Sequence, residues 1–283
     1  MIIRDDRIDG TRYWRAMGDS LDDVQRWLRD TPNKWGTNDS RSGSLSDNWS
    51  LGVSYDRALE LANKGWSEGA KDLSDRLAAH MPPRDKEDSW RFDVAGELPD
   101  IGRYLAGDPV HMRRHGHPKG HQPIISIAVN IRLMCSVKAS AMANYGAALV
   151  AAIDQIEHHG KRVELTATFA TRQSGNRVST GWTVKKAEDH LDLASVAFSL
   201  AHPAASRRIG FAMYEHSDVP RSYGYGSGLT LEERDLIDPL PGTYCLSGLN
   251  DDTKRCLTLE DAIPFVRDQV NAAAGEELVV LEA

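Results

Sequence analysis

Several groups of residues in this 283-residue chain have types and spacings that can do chemistry. Gly18-Asp19-Ser20-Leu21 would place Ser20 as a nucleophile in ester hydrolysis if a buried strand led into it and a later Asp-x-x-His supplied the base. Arg15 and Ala16 precede it where that strand is needed, and the C-terminal third has no Asp-x-x-His, so an N-capped helix accounts better for Ser20. His111, His115, His117 and His121 have the spacing of imidazole ligands for zinc or nickel. They lack an accompanying thiol or carboxylate, and Arg113 and Arg114 stand between the first two, so they read as solvent-facing groups that gain charge as pH falls. Where some α/β folds carry a metal-binding Asp-x-Ser-x-Ser after the first core strand, this chain has Asn130, Arg132 and Met134, which cannot hold a cation that way. Neither GxGxxG after the strand near Ile124 nor GxxxxGK[ST] occurs. No catalytic residue, metal or cofactor is expected.

Nucleic-acid binding has the stronger physical basis. Residues 1–108 hold 16 Lys and Arg against 21 Asp and Glu, residues 109–187 hold 11 against 3, and residues 188–283 hold 7 against 17. The net charge of −7 therefore divides into −5, +8 and −10, and no acidic side chain occurs between Pro109 and Ile153. A positive segment attracts a polyanion even from an acidic molecule. Cations that contact phosphates, next to aromatic faces on which bases stack, form a single-strand-binding surface. The candidate contacts are Arg113, Arg114 and Lys119 in a basic loop; Arg172, Arg177, Lys185 and Lys186 around a hairpin that also carries Trp182; and Tyr223 and Tyr225 in a glycine-rich loop. Trp182 has an equally good reading as a core residue.

Positioning these groups requires an α/β scaffold. Ser20–Leu28, Ser54–Ala62 and Glu68–Met81 have helical apolar spacing, so residues 1–108 read as a mainly helical lobe. Pro, Gly and His interrupt the stretch from His111 to Pro123, which reads as an exposed loop rather than a helix or central strand. The β-branched run from Ile124, the Ala-rich stretch Ala139–His158 and Arg162–Thr171 give strand, helix and parallel strand. A basic hairpin follows, with helices from Asp189, Pro203, Leu231 and Leu259, so residues 109–274 form an α/β lobe. The acidic tail, 275–283, reads either as a competitor for a basic groove or as a last edge strand.

Composition sets the broad class. Apolar residues at 41% and charged residues at 27% describe a globular chain. The acidic start lacks the apolar core of a signal peptide, no run of about 18 apolar residues occurs, and Cys135, Cys245 and Cys256 lack the pattern of a disulfide framework. A cytoplasmic protein without membrane contact is expected.

The stretches ALELANKGWSEGA, AGELPDIGRYLAGDP, GAALVAAIDQIEHHGKRVEL and LDLASVAFSLAHPAASRRIGF resemble a family of uncharacterised bacteriophage proteins. In size, acidity and charged tail the chain is also similar to the phage single-stranded-DNA-binding RNA polymerase cofactors. That resemblance implies a non-enzymatic protein that holds melted promoter DNA and recruits a phage RNA polymerase in the host cytoplasm. A homo-oligomer is expected separately, because binding along a strand gains from several linked sites. The other reading is a protein-interaction module that inhibits or redirects a host enzyme.

Overall fold

The charged opening of the chain folds as a β-hairpin. Strands β1 (Ile2–Ile8) and β2 (Thr11–Gly18) pair antiparallel through a two-residue turn in which Asp9 and Gly10 both have positive φ. The Asp-Gly pair suits that backbone, because glycine enters the left-handed region freely and aspartate tolerates it. In the computed structural model, residues 1–78, 90–94, 98–115, 123–219, 225–249 and 256–280 are described.

Helix α1 (Leu21–Asp30) starts directly from β2, with Ser20 as its N-cap. Two single-turn helices, α2 (Asp39–Ser42) and α3 (Asp47–Ser50), lie in the Asn/Ser-rich stretch. Helices α4 (Tyr55–Lys64) and α5 (Ser67–Ala78) follow. The chain then forms a small arm: β3 (Trp90–Asp93), β4 (Leu98–Pro99), the five-residue helix α6 (Ile101–Leu105) and β5 (Met112–His115). These strands make a separate three-stranded sheet in the order β3-β5-β4. Met112–His115, expected as part of an exposed loop, is therefore the middle strand of that sheet. No proline falls within those four residues, so the backbone pairs on both sides.

The strand-helix-strand unit expected from the sequence forms as β6 (Ile124–Asn130), α7 (Ala139–His158) and β7 (Arg162–Gln173), with β6 and β7 parallel. Strand β8 (Asn176–Lys185) returns antiparallel to β7. The run from Leu193 to Glu215 combines α8 (Leu193–Val196), two π-helical turns at Ala197–Ala201 and Ala205–Gly210, and α9 (Phe211–Glu215). Then come β9 (Ser227–Gly228), a 3-10 turn at Glu233–Asp235, β10 (Tyr244–Leu246) and α10 (Leu259–Ala274). The helix expected from Leu231 is reduced to that 3-10 turn.

The main sheet has the order β1-β2-β8-β7-β6-β10, with β9 beside β7, which makes the protein mixed α/β. Strand β2 pairs parallel with β8, so strands from both sides of residue 108 share one sheet and one core. Residue 108 itself lies in the arm, between α6 and β5. A helical lobe separate from an α/β lobe does not describe this arrangement.

The long helices pack on one face of the sheet, with Trp14, Val129, Phe169 and Trp182 pointing into that core. Ala128, Ala170 and Cys245 on the other face meet Leu229, Leu231 and Leu236 of the connection between β9 and β10. That connection acts as a strap across the second face. The acidic tail is docked as far as it is described: Leu278 and Val279 are buried, and the Asn271 side chain accepts from both of their backbone N–H groups. It forms no strand there and is not a free competitor for a basic groove; residues 281–283 lie outside the described residues.

Candidate nucleic-acid interface

Four of the ten expected contacts have their functional groups engaged inside the molecule. Arg177 lies under the strap, 5% exposed, with Nε 2.6 Å and Nη2 2.5 Å from the Asp235 carboxylate. The same guanidinium donates to the Thr230 carbonyl at 3.0 Å. Its pKa is raised by the hydrogen bonds to Asp235, against the opposing effect of burial. Lys185, 3% exposed, places Nζ 2.7 Å from Glu157 on α7 and 2.9 Å from the Val163 carbonyl. Trp182 is fully buried, with its indole N–H donating to Ser199 Oγ at 3.1 Å. Tyr225 stacks on Phe211 with centroids 3.7 Å apart, and its hydroxyl donates to Glu215 at 2.6 Å. Burial and the Glu215 carboxylate both raise the Tyr225 pKa. None of these four groups is presented to a ligand in solvent. Charged residues on a strand read as a surface only when their distant partners are unknown.

Arg172 and Lys186 are exposed but belong to opposite ends of the hairpin. The length of β8 puts them roughly 30 Å apart. Arg172 is also not an isolated cation, because its charge contributes to lowering the Glu232 pKa, after the larger effects of Arg234 and Arg177. Lys119 and Tyr223 lie outside the described residues.

The arm brings the remaining candidates together. In its sheet Arg113 pairs with both Phe92 and Leu98, Arg114 with Arg91, and His115 with Trp90. By strand alternation Trp90, Phe92, Arg113 and His115 occupy positions of one face. The sequence reading missed Arg103, whose guanidinium carbon sits 3.7 Å from the Phe92 ring centroid. Arg103 is held there by Asp108 at 3.1 Å and reaches the Val110 carbonyl at 3.4 Å. His111 points Nδ1 at the Asp108 carbonyl, 2.8 Å away, and its ring meets Tyr104 edge-on at 5.2 Å. Aromatic residues beside cations at Trp90-Arg91-Phe92 and Arg103-Tyr104 were the available signal; the pairing of β3 with β5 was not.

The other chemical motifs resolve as structural parts. Ser20 does follow a strand, contrary to the reading from Arg15 and Ala16, because β2 ends at Gly18. Its Oγ accepts the Asp23 backbone N–H at 3.3 Å, and among the described residues no histidine lines the cavity it shares with Asn63, Trp182, Ser195 and Ser199. Asn130 donates to the Ala170 and Leu229 carbonyls, and Arg132 Nη2 donates to the Gly226 carbonyl at 2.7 Å. Gly248 packs so closely on this strand end that a β-carbon would stand 2.0 Å from the Asn130 carbonyl oxygen. Among the described residues no group of three or more His, Cys, Asp or Glu side chains is arranged to hold a metal ion, and no helix is long and apolar enough to cross a membrane.

A second buried network organises the loop between α1 and α4. Arg208 donates to the carbonyls of Ser40, Gly43, Ser44 and Val53 and to Ser50 Oγ. Glu215, seven residues along the same helical run, accepts from the Ser40 N–H at 2.9 Å, Ser40 Oγ at 2.7 Å and Asn33 at 3.3 Å. Nothing local in the sequence marks these two residues as the organisers of residues 33–53.

No curated protein and no solved structure matches the chain. Residues 6–258 match a family described as a domain of unknown function, and that match spans most of the molecule: the chain belongs to the DUF7192 family.

Proposed function

We propose that this protein binds single-stranded DNA, and that the arm rather than the β7–β8 hairpin carries the contact. The observation behind this is the Arg103 guanidinium on Phe92, beside a strand whose consecutive residues Arg113 and Arg114 pair with Phe92 and Arg91. An aromatic face and closely spaced cations are what a sequence-tolerant single-strand site needs. In this reading the protein is a non-enzymatic cofactor that holds melted promoter DNA for a phage RNA polymerase in the host cytoplasm.

The test is binding of labelled single- and double-stranded oligonucleotides across a salt series. Single strands bind more tightly, log K falls linearly with log salt, and Arg103→Glu with Arg114→Glu flattens the slope by about one for each phosphate that is no longer neutralised. Absence of salt-dependent binding overturns the proposal. Capture of a defined partner enzyme that survives nuclease treatment supports a protein-interaction module instead.

A further inference from the structure

Between the strap and the N-terminal halves of β6 and β7, the second face of the sheet holds a partly enclosed cavity of about 240 Å³. Register sets its floor: Thr166 of β7 pairs with Thr183 of β8 on one side and Ala128 of β6 on the other, and Ser126 of β6 pairs with Glu164 of β7. Strand alternation puts these side chains on the face that carries Ala128 and Ala170, away from the long helices. Ile2 of β1 and Met17 of β2 wall one side, and Leu236 to Pro239 of the strap form the roof.

Three carboxylates line the cavity, those of Asp19, Glu164 and Asp238, and among the described residues no lysine, arginine or histidine does. Asp238 is paired with Arg4 at 3.4 Å, and Arg15, on the same face of the sheet, is committed to Asp6 and to the Arg234 and Leu236 carbonyls. Glu164 accepts from the Ser126 hydroxyl at 3.3 Å and has no cationic partner among the described residues. The Asp19 carboxylate and the Thr166 and Thr183 hydroxyls make no hydrogen bond to another described residue. Asp19 follows the end of β2, two strand spacings from β7, so its backbone stands about 10 Å from that of Glu164. No group of three or more His, Cys, Asp or Glu side chains among the described residues is arranged for a metal ion, so the negative charge is spread along the cavity rather than focused on one point. An engineered protein cavity of about 150 Å³ already takes up benzene, so this space suits a ligand of roughly ten non-hydrogen atoms.

We infer that the cavity binds a linear aliphatic polyamine, with one ammonium group on Asp19, another on Glu164, and the chain between them crossing the Thr166–Thr183 pair. Ammonium groups donate hydrogen bonds and accept none, which matches a lining of carboxylate and hydroxyl oxygens without a cation. The methylene segments match the apolar part of the same lining, Met17, Ala128 and Ile237. A neutral polyol of the same size would leave both carboxylates without a charged partner, and an anion would be repelled. No arm residue lines the cavity, so its occupancy does not depend on the DNA-binding proposal.

The experiment is calorimetric titration of the nuclease-treated full chain with spermidine, with putrescine, octanediol and magnesium as comparisons. Spermidine binds saturably at one site per chain, putrescine binds more weakly, octanediol does not bind, and excess magnesium does not displace spermidine. Glu164→Gln and Asp19→Asn each keep the side-chain shape and remove one charge, and each weakens spermidine binding about tenfold. Asp268→Asn, at an exposed acid of α10 outside the cavity, leaves the affinity unchanged. Asp19 is exposed, so its variant reads the site even where Glu164→Gln folds poorly. Absence of saturable binding overturns the inference, as does an affinity unchanged in Asp19→Asn. Displacement by magnesium, or an equal loss in Asp268→Asn, also overturns it and assigns the binding to the acidic surface as a whole.

Discussion

Arg177 and Asp235 form a bidentate ion pair between the second face of the sheet and the strap that crosses it, with both residues almost fully buried. Ser179 Oγ also donates to the Asp235 carbonyl, and Arg15 donates to the carbonyls of Arg234 and Leu236 at 3.1 Å. Polar anchors therefore hold the strap at least as much as its small apolar cluster. Removing one partner of a buried pair leaves the other desolvated and unpaired, which costs about 3–5 kcal/mol. Arg177→Ala and Asp235→Ala should each lower the unfolding free energy measured by denaturant titration by that amount. The double variant should lose less than the sum, because the cost of the orphaned charge is then absent. Strict additivity would mean that the pair does not act as a unit.

Arg208 makes the corresponding prediction for the loop at residues 33–53. Burial lowers its pKa, yet it stays charged because five acceptors surround the guanidinium. Arg208→Met keeps much of the packing volume and strands four carbonyl groups, so stability should fall by about 3–5 kcal/mol. Limited proteolysis should cut first between Asn38 and Val53. Cleavage first in the arm, with the loop intact, would show that Arg208 does not organise that segment.

His202 gives the stability curve a feature at mild acid pH. Burial against Trp66, with ring centroids 4.6 Å apart, pushes its pKa down from 6.5 to about 4, and Nδ1 accepts the Ala204 backbone N–H. The folded protein therefore keeps the imidazole neutral while the unfolded chain protonates it. Its contribution is fully present above pH 6.5 and is lost as pH falls toward 4. The depressed value corresponds to about 3 kcal/mol across that window. His202→Gln should flatten this part of the curve relative to wild type, measured as denaturant-derived stability at several pH values. Parallel curves from pH 6.5 to 4 would assign the acid sensitivity to other groups, such as His216, whose pKa burial also lowers.

Ser20 should behave as a helix cap. Ser20→Ala removes the acceptor for the Asp23 N–H and should cost about 1 kcal/mol, whereas Ser20→Asp should retain most of the stability. Neither change should alter ester turnover, since no described histidine lines the cavity around it. Hydrolysis that disappears in the alanine variant but not after a remote destabilising change would reinstate Ser20 as a nucleophile.

Sequence periodicity located the elements whose environment is uniform. Ala139–His158 forms a helix with the expected bounds, and the strands on either side of it were visible because one face of each is continuously apolar. The β1–β2 hairpin was not visible: β1 is almost entirely exposed, so Arg4, Asp5, Asp6 and Arg7 break any apolar alternation. Only Asp9-Gly10 hinted at the turn. The hairpin cations failed for a different reason. Arg177 finds its carboxylate 58 residues away and Lys185 finds Glu157 28 residues away, pairings that local composition does not encode. The arm was half legible, its charges plain and its sheet hidden by the short strands.

The charges that concealed β1 also bear on how the molecule behaves when crowded. As the outermost strand of the main sheet it offers a seven-residue backbone edge, the kind of edge onto which unrelated chains add to build fibrils. Asp5 is clamped by Arg12 across the hairpin, Asp6 by Arg15, and Arg4 by Asp238 of the strap. Any strand arriving at that edge would meet charged side chains already committed to neighbours within the molecule. Charged side chains on an edge strand are among the features that oppose such addition.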